Sequence, residues 1–264
     1  MYRKNEKVLR PVHPNVGIEM EYRRRLLLAI GQMHTAVLGR VSSDYQREPP
    51  PIAQDDRVES FLHMLRQQFG RWMARFDAMA QELAAYFAQT TAQRSDAVLR
   101  SILKKGGMSV EWHPTPAQQE ILHSTIAQNV ALIRSIPARY LDQVEQAVLR
   151  SVQTGRDLKQ LQGDIQRQFG VAKYRAALIA RDQSNKATAA LTRVRQVEVG
   201  VTEAVWLHSG GGKHPRPSHV KAGRDRVRYD VRKGWFDPHE HEWVLPGQLI
   251  NCRCVSRSVI KGFS

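Results

Sequence analysis

The sequence predicts a mainly α protein, in which helical N-terminal and central regions are followed by a small C-terminal α+β unit. Up to residue 200, apolar residues recur at the three- and four-residue spacings that place them on one face of a helix. These stretches are rich in Ala, Leu, Met, Gln and Arg, which are strong helix formers, and Pro or Gly separates them. After Gly200 the pattern changes to alternating β-branched and aromatic residues, which is typical of strands.

The first predicted helix follows an irregular arm. Residues 1–16 carry Pro11 and Pro14 and predict no regular element. The helix is expected from Ile18 to about Ser43, and Pro49-Pro50-Pro51 interrupts the chain after it because proline lacks an N–H donor and fixes φ.

A second predicted helix runs from about Asp56 to Lys105 and has two candidate break points, Gly70 and Thr90. Gly106-Gly107 ends it. The segment from Trp112 to Pro116 contains two prolines and is the best candidate domain boundary. We therefore expect an N-terminal region, 1–112, and a second region, 113–264.

The second region is expected to be helical over 113–200 and rich in strands over 201–264. Pro137, Gly155 and Gly170 divide its first part, because proline opens helices and glycine ends them. The predicted helices are 116–136, one that opens at Pro137, 157–170 and 173–199. The predicted strands are 201–208, 227–231 and 252–259.

Charge and composition restrict the class of protein. The formal net charge is +15, the apolar fraction 42% and the charged fraction 25%, which excludes a wholly disordered chain. The net charge is +5 in each of the segments 1–112, 113–200 and 201–264, so the positive charge is not concentrated in one segment. Candidate partners are nucleic acid, an acidic protein or an anionic membrane face.

The longest apolar runs, such as Leu26–Ile30, are too short to span a bilayer, and we expect a soluble protein without a signal peptide.

One strongly basic window lies between residues 213 and 233, and we call its cations the basic strip. Only two acidic residues accompany them. A solvated loop or strand face and a surface that contacts phosphates both explain such a pattern. In the second interpretation the cations neutralise DNA phosphates without reading the sequence. The basic strip consists of Lys213, Arg216, Lys221, Arg224, Arg226, Arg228, Arg232 and Lys233.

Histidines and both cysteines of the chain are concentrated near the C-terminal end. Cys252 and Cys254 are separated by one residue, so a disulfide between them is not expected. On a strand the two sulfurs would point to the same face and, with His219, could ligate zinc. The other interpretation is that the thiols pack as small buried groups and the histidine orients a loop. No cofactor is expected apart from this possible zinc.

Signals for catalysis are weak. Gly210–Gly212 lack the Lys-Ser/Thr ending and following helix of a phosphate-binding loop, and no nuclease, kinase or hydrolase signature is present. We therefore expect no enzymatic activity. Arg181 is a candidate buried anchor, because a planar guanidinium can bind several acceptors at once, and Arg195 is a weaker candidate for the same role.

The order of several motifs resembles one family. Ile179-Ala180-Arg181-Asp182-Gln183 leads into a helix, followed by a strand with Trp206, then Arg216-Pro217-Ser218-His219, and finally Asn251-Cys252-Arg253-Cys254. This succession, over about 116–260, is similar to the phage Mu F-like minor head proteins, also called phage head morphogenesis proteins. The positions that match the family's signature are Arg181, Asp182, His219, Asn251, Cys252 and Cys254.

The resemblance implies a component of a tailed-phage or prophage particle. Such a protein would lie in the capsid interior near the portal vertex, after assembly in the host cytoplasm, and would act in head morphogenesis. The implied partners are the portal protein, capsid proteins and double-stranded DNA without sequence specificity, with no membrane. Residues 1–110 match nothing in the family and are a candidate docking region. The alternative is a zinc- or thiol-dependent enzyme or toxin carried on the particle.

Overall fold

The computed structural model describes residues 6–47, 55–155, 157–212 and 214–262, and it confirms the mainly α class. Within these residues there are five helices and six strands. In chain order they are β1 (Glu6–Val8), α1 (Val16–Arg47), α2 (Asp55–Gly106), α3 (Pro116–Gln153), α4 (Leu158–Glu198), β2 (Glu203–Leu207), α5 (Pro217–Arg224), β3 (Arg228–Asp230), β4 (Trp235–Asp237), β5 (Glu242–Val244) and β6 (Val255–Lys261). The predicted interruption at Pro49-Pro50-Pro51 lies outside the described residues. None of the described helices combines the length and apolar character required to cross a membrane.

The chain forms two compact units, and the division between 1–112 and 113–264 remains a prediction about the sequence. One unit consists of three stretches of the chain. They are the described residues up to Glu19, the residues Ala85–Ile126 and the described residues from Ala180 onwards. The other consists of Met20–Ala84 and Ala127–Ile179. The first unit contains all the strands, and the second contains only lengths of α1 to α4.

The second unit is held together by an apolar core with a few buried hydrogen bonds. Fully buried residues of α1 recur at helical spacing, as the sequence predicted. His34 on α1 lies 2.9 Å from the Tyr140 hydroxyl of α3 and 3.0 Å from Gln166 Oε1 of α4, and it stacks on Phe169. Burial lowers the pKa of His34, which favours the neutral imidazole in this core.

The long helices run through points where the sequence predicted breaks. Pro137 lies inside α3, and Gly170 lies inside α4. The boundary predicted at Gly155 and Asp157 is present, because both residues lie between α3 and α4. Helix α2 is likewise continuous through Gly70 and Thr90. Proline inside a helix costs about 3 kcal/mol and glycine about 1 kcal/mol. Burial of the apolar face on both sides of each point offsets these costs, because each fully buried Leu or Ile contributes roughly 1.5–3 kcal/mol.

The small antiparallel sheet of the first unit has the strand order β1-β6-β2-β3. The predictions of strands over 201–208 and 227–231 are confirmed. The prediction of an irregular N-terminal arm is wrong for Glu6–Val8, which pairs with the end of β6 in the register Glu6↔Lys261 to Val8↔Val259. Strands β4 and β5 form a separate hairpin, which the sequence did not reveal because each has only three residues.

The buried cation of the first unit is Arg195. Its side chain is 3% exposed, and its guanidinium donates to both oxygens of Asp96, at 3.0 and 2.8 Å. It also donates to the His113 carbonyl oxygen and to Glu198 Oε2, and it lies over the Trp112 ring. The bonds join α2, α4 and the segment before α3. The anchoring role considered for Arg181 is therefore performed by Arg195.

We expect Arg195→Met to lower the free energy of unfolding by about 3–5 kcal/mol, because Asp96 would keep a largely buried charge without its partner. Urea unfolding followed by circular dichroism measures the loss. Arg224→Met is the matched control: this arginine pairs with Asp225 at the surface, with its side chain 74% exposed, and its loss is expected to stay within about 1 kcal/mol. Equal losses in the two variants would contradict the anchoring role.

Candidate functional site

Helix α5 carries the first residue of the site. It begins at Pro217, which suits the first helical position because its missing N–H would have no partner there. Ser218, His219 and Ala222 are its buried residues. A Cβ at Gly223 would lie 2.4 Å from the Cβ of His208, so a glycine is required for α5 to approach the end of β2. This close approach carries His219 into the interior.

The loop between β5 and β6 supplies the other two residues. Gly247 has a φ of +81°, and a Cβ there would lie 2.8 Å from the Cβ of Ala189 on α4. Asn251 also has a positive φ, and its backbone N–H donates to Asp182 Oδ1 at 2.6 Å. The loop is thus fixed against α4 immediately before Cys252.

Cys252 and Cys254 do not lie on a strand, because β6 begins at Val255. The prediction that strand alternation aligns their sulfurs is therefore wrong. The turn at Asn251 and the loop after it bring the sulfurs together instead, and both thiols are buried.

The structure brings together the three predicted metal-ligating residues. Nδ1 of His219 lies 3.4 Å from the Cys252 sulfur and 3.8 Å from the Cys254 sulfur. One ligand atom from each residue falls within 4.8 Å of the others. The side chains are buried, at 3% to 4% exposure, so we call them the His-Cys-Cys cluster.

A buried carboxylate lies behind the histidine. Asp237 is fully buried, and its Oδ2 is 3.3 Å from His219 Nε2, which has no well-aligned hydrogen-bond partner. The Ser218 hydroxyl donates to Oδ2 at 2.8 Å, and the backbone N–H of His239 donates to Oδ1 at 2.9 Å. Burial opposes ionisation of this carboxyl, but these bonds and the one from the Glu240 N–H hold its pKa below the usual value.

The two thiols affect each other's pKa. The Cys254 thiol donates to the Cys252 sulfur, which lowers the pKa of Cys252 and raises that of Cys254. Backbone N–H groups of Cys254 and Gly247 also donate to the Cys252 sulfur. The Ser209 N–H and the Trp206 indole favour the thiolate of Cys254. The surroundings therefore favour a thiolate at Cys252.

Aromatic side chains enclose the cluster. Trp206 of β2 is fully buried and packs edge-on against the His219 ring, with centroids 4.9 Å apart. Tyr229 and Trp235 lie against the other sides of Trp206. These rings belong to the apolar core of the small sheet, which includes both cysteines. The cluster is thus shielded from water, which strengthens electrostatic interactions inside it.

The six residues that match the family's signature fall into three groups: the cluster, the contact between Asp182 and Asn251, and Arg181. His219, Cys252 and Cys254 form the cluster, and Asp182 holds the Asn251 backbone while pairing with Lys186 at 3.0 Å. Arg181 is half-buried on α4 beside them, and its carbonyl accepts from the Asn185 side chain.

The basic strip divides into two groups. Arg216 and Arg228 make intramolecular ion pairs, with Glu240 at 2.8 Å and with Glu6 at 2.6 Å respectively. Lys213 lies outside the described residues. The exposed members are Lys221, Arg224, Arg226, Arg232 and Lys233, of which Arg224 pairs with its neighbour Asp225 at the surface.

Sequence reasoning missed Asp237 and Ser218 as partners of the histidine. Ser218 directly precedes His219 within the Arg-Pro-Ser-His motif, so the sequence already marks it as a residue close to the histidine. Asp237 lies 18 residues away among Glu240, Glu242 and two histidines, where nothing in the sequence distinguishes a buried acid from exposed ones.

The fold and the cluster define a class: a mainly α chain whose small C-terminal sheet encloses a buried His-Cys-Cys group. Residues 142–257 match the family described as phage Mu protein F like protein, and this range includes all of α4, the cluster, strands β2 to β5 and the first residues of β6. The resemblance found in the sequence is confirmed over these residues.

One relative is a protein of Haemophilus influenzae (strain ATCC 51907 / DSM 11121 / KW20 / Rd) described as an uncharacterized protein. It is 28% identical over 269 residues, an alignment that covers 97% of this chain and 57% of the relative. The chain thus spans little more than half the length of this relative. No solved structure matches the chain.

We expect Asp237→Ala to lower the free energy of unfolding by about 2–4 kcal/mol, because buried Ser218 and backbone donors would lose a charged acceptor. Asp230→Ala is the matched control. Asp230 also accepts two backbone N–H bonds in a turn, from Arg232 and Lys233, but it is exposed and water can replace it. Its loss is expected to be about 1 kcal/mol in the same urea titration. A control as damaging as Asp237→Ala would contradict a special role for the buried carboxylate.

Proposed function

We propose that the chain is a minor head protein of a tailed phage or prophage that lies in the capsid interior at the portal vertex and acts in head assembly. The match over residues 142–257 carries this proposal. The matched range includes the buried cluster, the loop held by Asp182 and the basic strip, so it covers the most specific features of the C-terminal part.

The charge of the chain supports an interior position beside packed DNA. A net charge of +15 is unfavourable for close packing against other basic surfaces and favourable beside phosphates. The excess is spread over the whole chain, which suits neutralisation of DNA by many weak contacts better than reading of one site. We infer double-stranded DNA contact without sequence specificity.

The exposed part of the basic strip is the proposed DNA-contacting surface. Arg216 and Arg228 are occupied by carboxylates and would serve the fold. The remaining cations face solvent on α5 and in the segments that flank β3, where a phosphate backbone can reach them. Lys233 also lies 4.0 Å above the Trp243 ring, which positions its ammonium group.

Region 1–112 is the proposed docking region for portal and capsid proteins. Large apolar side chains remain exposed along α1 and α2, where a soluble partner surface can cover them. They are Val16, Met20, Leu28, Met64 and Tyr86, with exposed fractions from 37% to 66%.

The alternative is an enzyme or toxin that depends on zinc or a reactive thiol. The His-Cys-Cys cluster is the feature on which it would rest. Because all three side chains are nearly closed off from solvent, the cluster is better placed to hold the fold than to meet a substrate.

We expect the chain to be present inside DNA-filled particles of the phage that encodes it. Mass spectrometry of purified particles should detect it after external protease treatment, and opening of the particles should make it digestible. A tail protein exposed on the same particles is the control for protease activity. Absence from the particles, or digestion in intact ones, would overturn the proposed location.

We expect the purified chain to bind double-stranded DNA of any sequence, with affinity that falls steeply as salt rises. Replacement of all five exposed strip cations by Gln should lower the slope of log K against log salt by about 4–5, because each phosphate contact contributes roughly 0.9. A fluorescence titration between about 50 and 200 mM salt measures this slope.

The control removes the same charge from other exposed sites. It replaces Arg71, Lys104, Arg139, Arg150 and Lys159 by Gln, all exposed on α2, α3 and α4. Its slope should change less than that of the strip variant. Equal slopes would show that only total charge matters, and no binding at about 50 mM salt would end the proposal of DNA contact.

A further inference from the structure

The His-Cys-Cys cluster has the dimensions of a zinc site. Zinc lies about 2.3 Å from thiolate sulfur and about 2.0–2.1 Å from imidazole nitrogen, in tetrahedral geometry. These lengths separate a sulfur from a nitrogen ligand by about 3.6 Å. The observed separations between His219 Nδ1 and the two sulfurs, 3.4 and 3.8 Å, lie on either side of this value.

The surroundings of the histidine give a second, independent argument. A histidine that ligates zinc commonly donates its other ring N–H to a carboxylate, which fixes the tautomer and the ring orientation. His219 directs Nδ1 to the sulfurs and has Asp237 Oδ2 3.3 Å from Nε2. Nε2 is buried and has no aligned hydrogen-bond partner, so a small rotation on metal binding would supply one.

The groups around the two sulfurs also fit a zinc site. Backbone N–H groups of Gly247 and Cys254 point to one sulfur and that of Ser209 to the other, as expected for thiolates. Two thiolates within 4.8 Å of each other repel in a site shielded from water, and a divalent cation removes the repulsion. Sulfur and imidazole ligands select zinc over magnesium, calcium and manganese, which prefer oxygen.

We propose that the chain binds one zinc ion through His219 Nδ1, Cys252 Sγ and Cys254 Sγ, and that this ion fastens α5 to the loop between β5 and β6. Metal binding displaces protons from thiol ligands, so the zinc affinity rises with pH. Among the described residues no fourth His, Cys, Asp or Glu joins the group, so the fourth position is open to a water or to a group from a partner.

The site goes beyond the proposed head function and does not depend on it. The ion would link α5 to the loop and, through the bond from the Asn251 N–H to Asp182, to helix α4. The strands of this sheet have only three to seven residues, and a metal cross-link would add to the stability that its apolar core provides.

The test is metal analysis of the full chain purified without added chelator and with zinc in the growth medium. We expect about one zinc ion per chain when the metal content is measured by inductively coupled plasma mass spectrometry. Replacement of zinc by Co²⁺ should give intense d–d bands typical of tetrahedral coordination and a charge-transfer band from thiolate. Removal of zinc by a strong chelator should lower the melting temperature, and readdition should restore it.

Variants separate ligation from folding. His219→Ala, Cys252→Ser and Cys254→Ser should each lower zinc affinity at least tenfold, whereas His219→Cys keeps a ligand and should keep the ion. His239→Ala is the matched control, because this histidine lies in the same unit but is exposed. Circular dichroism checks that each variant is folded.

Three outcomes would overturn the proposal. One is a folded full chain that takes up neither zinc nor cobalt. Another is a melting temperature that zinc does not change, and the third is undiminished binding by a folded His219→Ala variant. Zinc binding without DNA binding would leave this site intact while ending the proposed DNA contact, so the two proposals fail separately.

Discussion

A buried guanidinium must have its charge neutralised and its donors satisfied, and this requirement organises the unit that contains the sheet. Arg195 meets it with carboxylates from α2 and α4 and with a carbonyl from the segment before α3. The contacts are distant in sequence, since Asp96 precedes Arg195 by 99 residues. Because α4 leads directly into β2, the same arginine determines where the sheet begins relative to the helices. The loop, α5 and the cluster are then built on that sheet.

The sequence was sufficient to predict the class of fold and the longest helices. Apolar periodicity predicts α1 and the strand with Trp206 correctly because both depend on burial of one face. It failed at Pro137 and Gly170, where local helix-breaking chemistry competes with a buried face that continues on both sides. It also failed at Glu6–Val8, because a three-residue edge strand is defined by its partner, β6, and not by its own composition.

The candidate site was predictable as a set of residues but not as a geometry. The choice of His219, Cys252 and Cys254 followed from their chemistry, and the structure brings them together. The reason given for the two cysteines, strand alternation, was wrong, since a left-handed residue at Asn251 and a loop place them. Asp237 was not predictable, because its burial depends on Ser218 and on the turn after β4, which involve contacts across 19 residues. Whether the basic strip contacts DNA remains a prediction.

The pairing of β1 with β6 has a consequence for the order of events during synthesis. Val8 and Val259 are partners in the register, so the edge of the sheet forms only after the residues up to Val259 have left the ribosome. Until then Glu6–Val8 is an unpaired segment, and its partner strand does not yet exist. Contacts this distant in sequence are slow to form, because a long loop must close before they contribute. The helical unit, by contrast, is complete in sequence at residue 179, so it can become ordered while the sheet is still being translated.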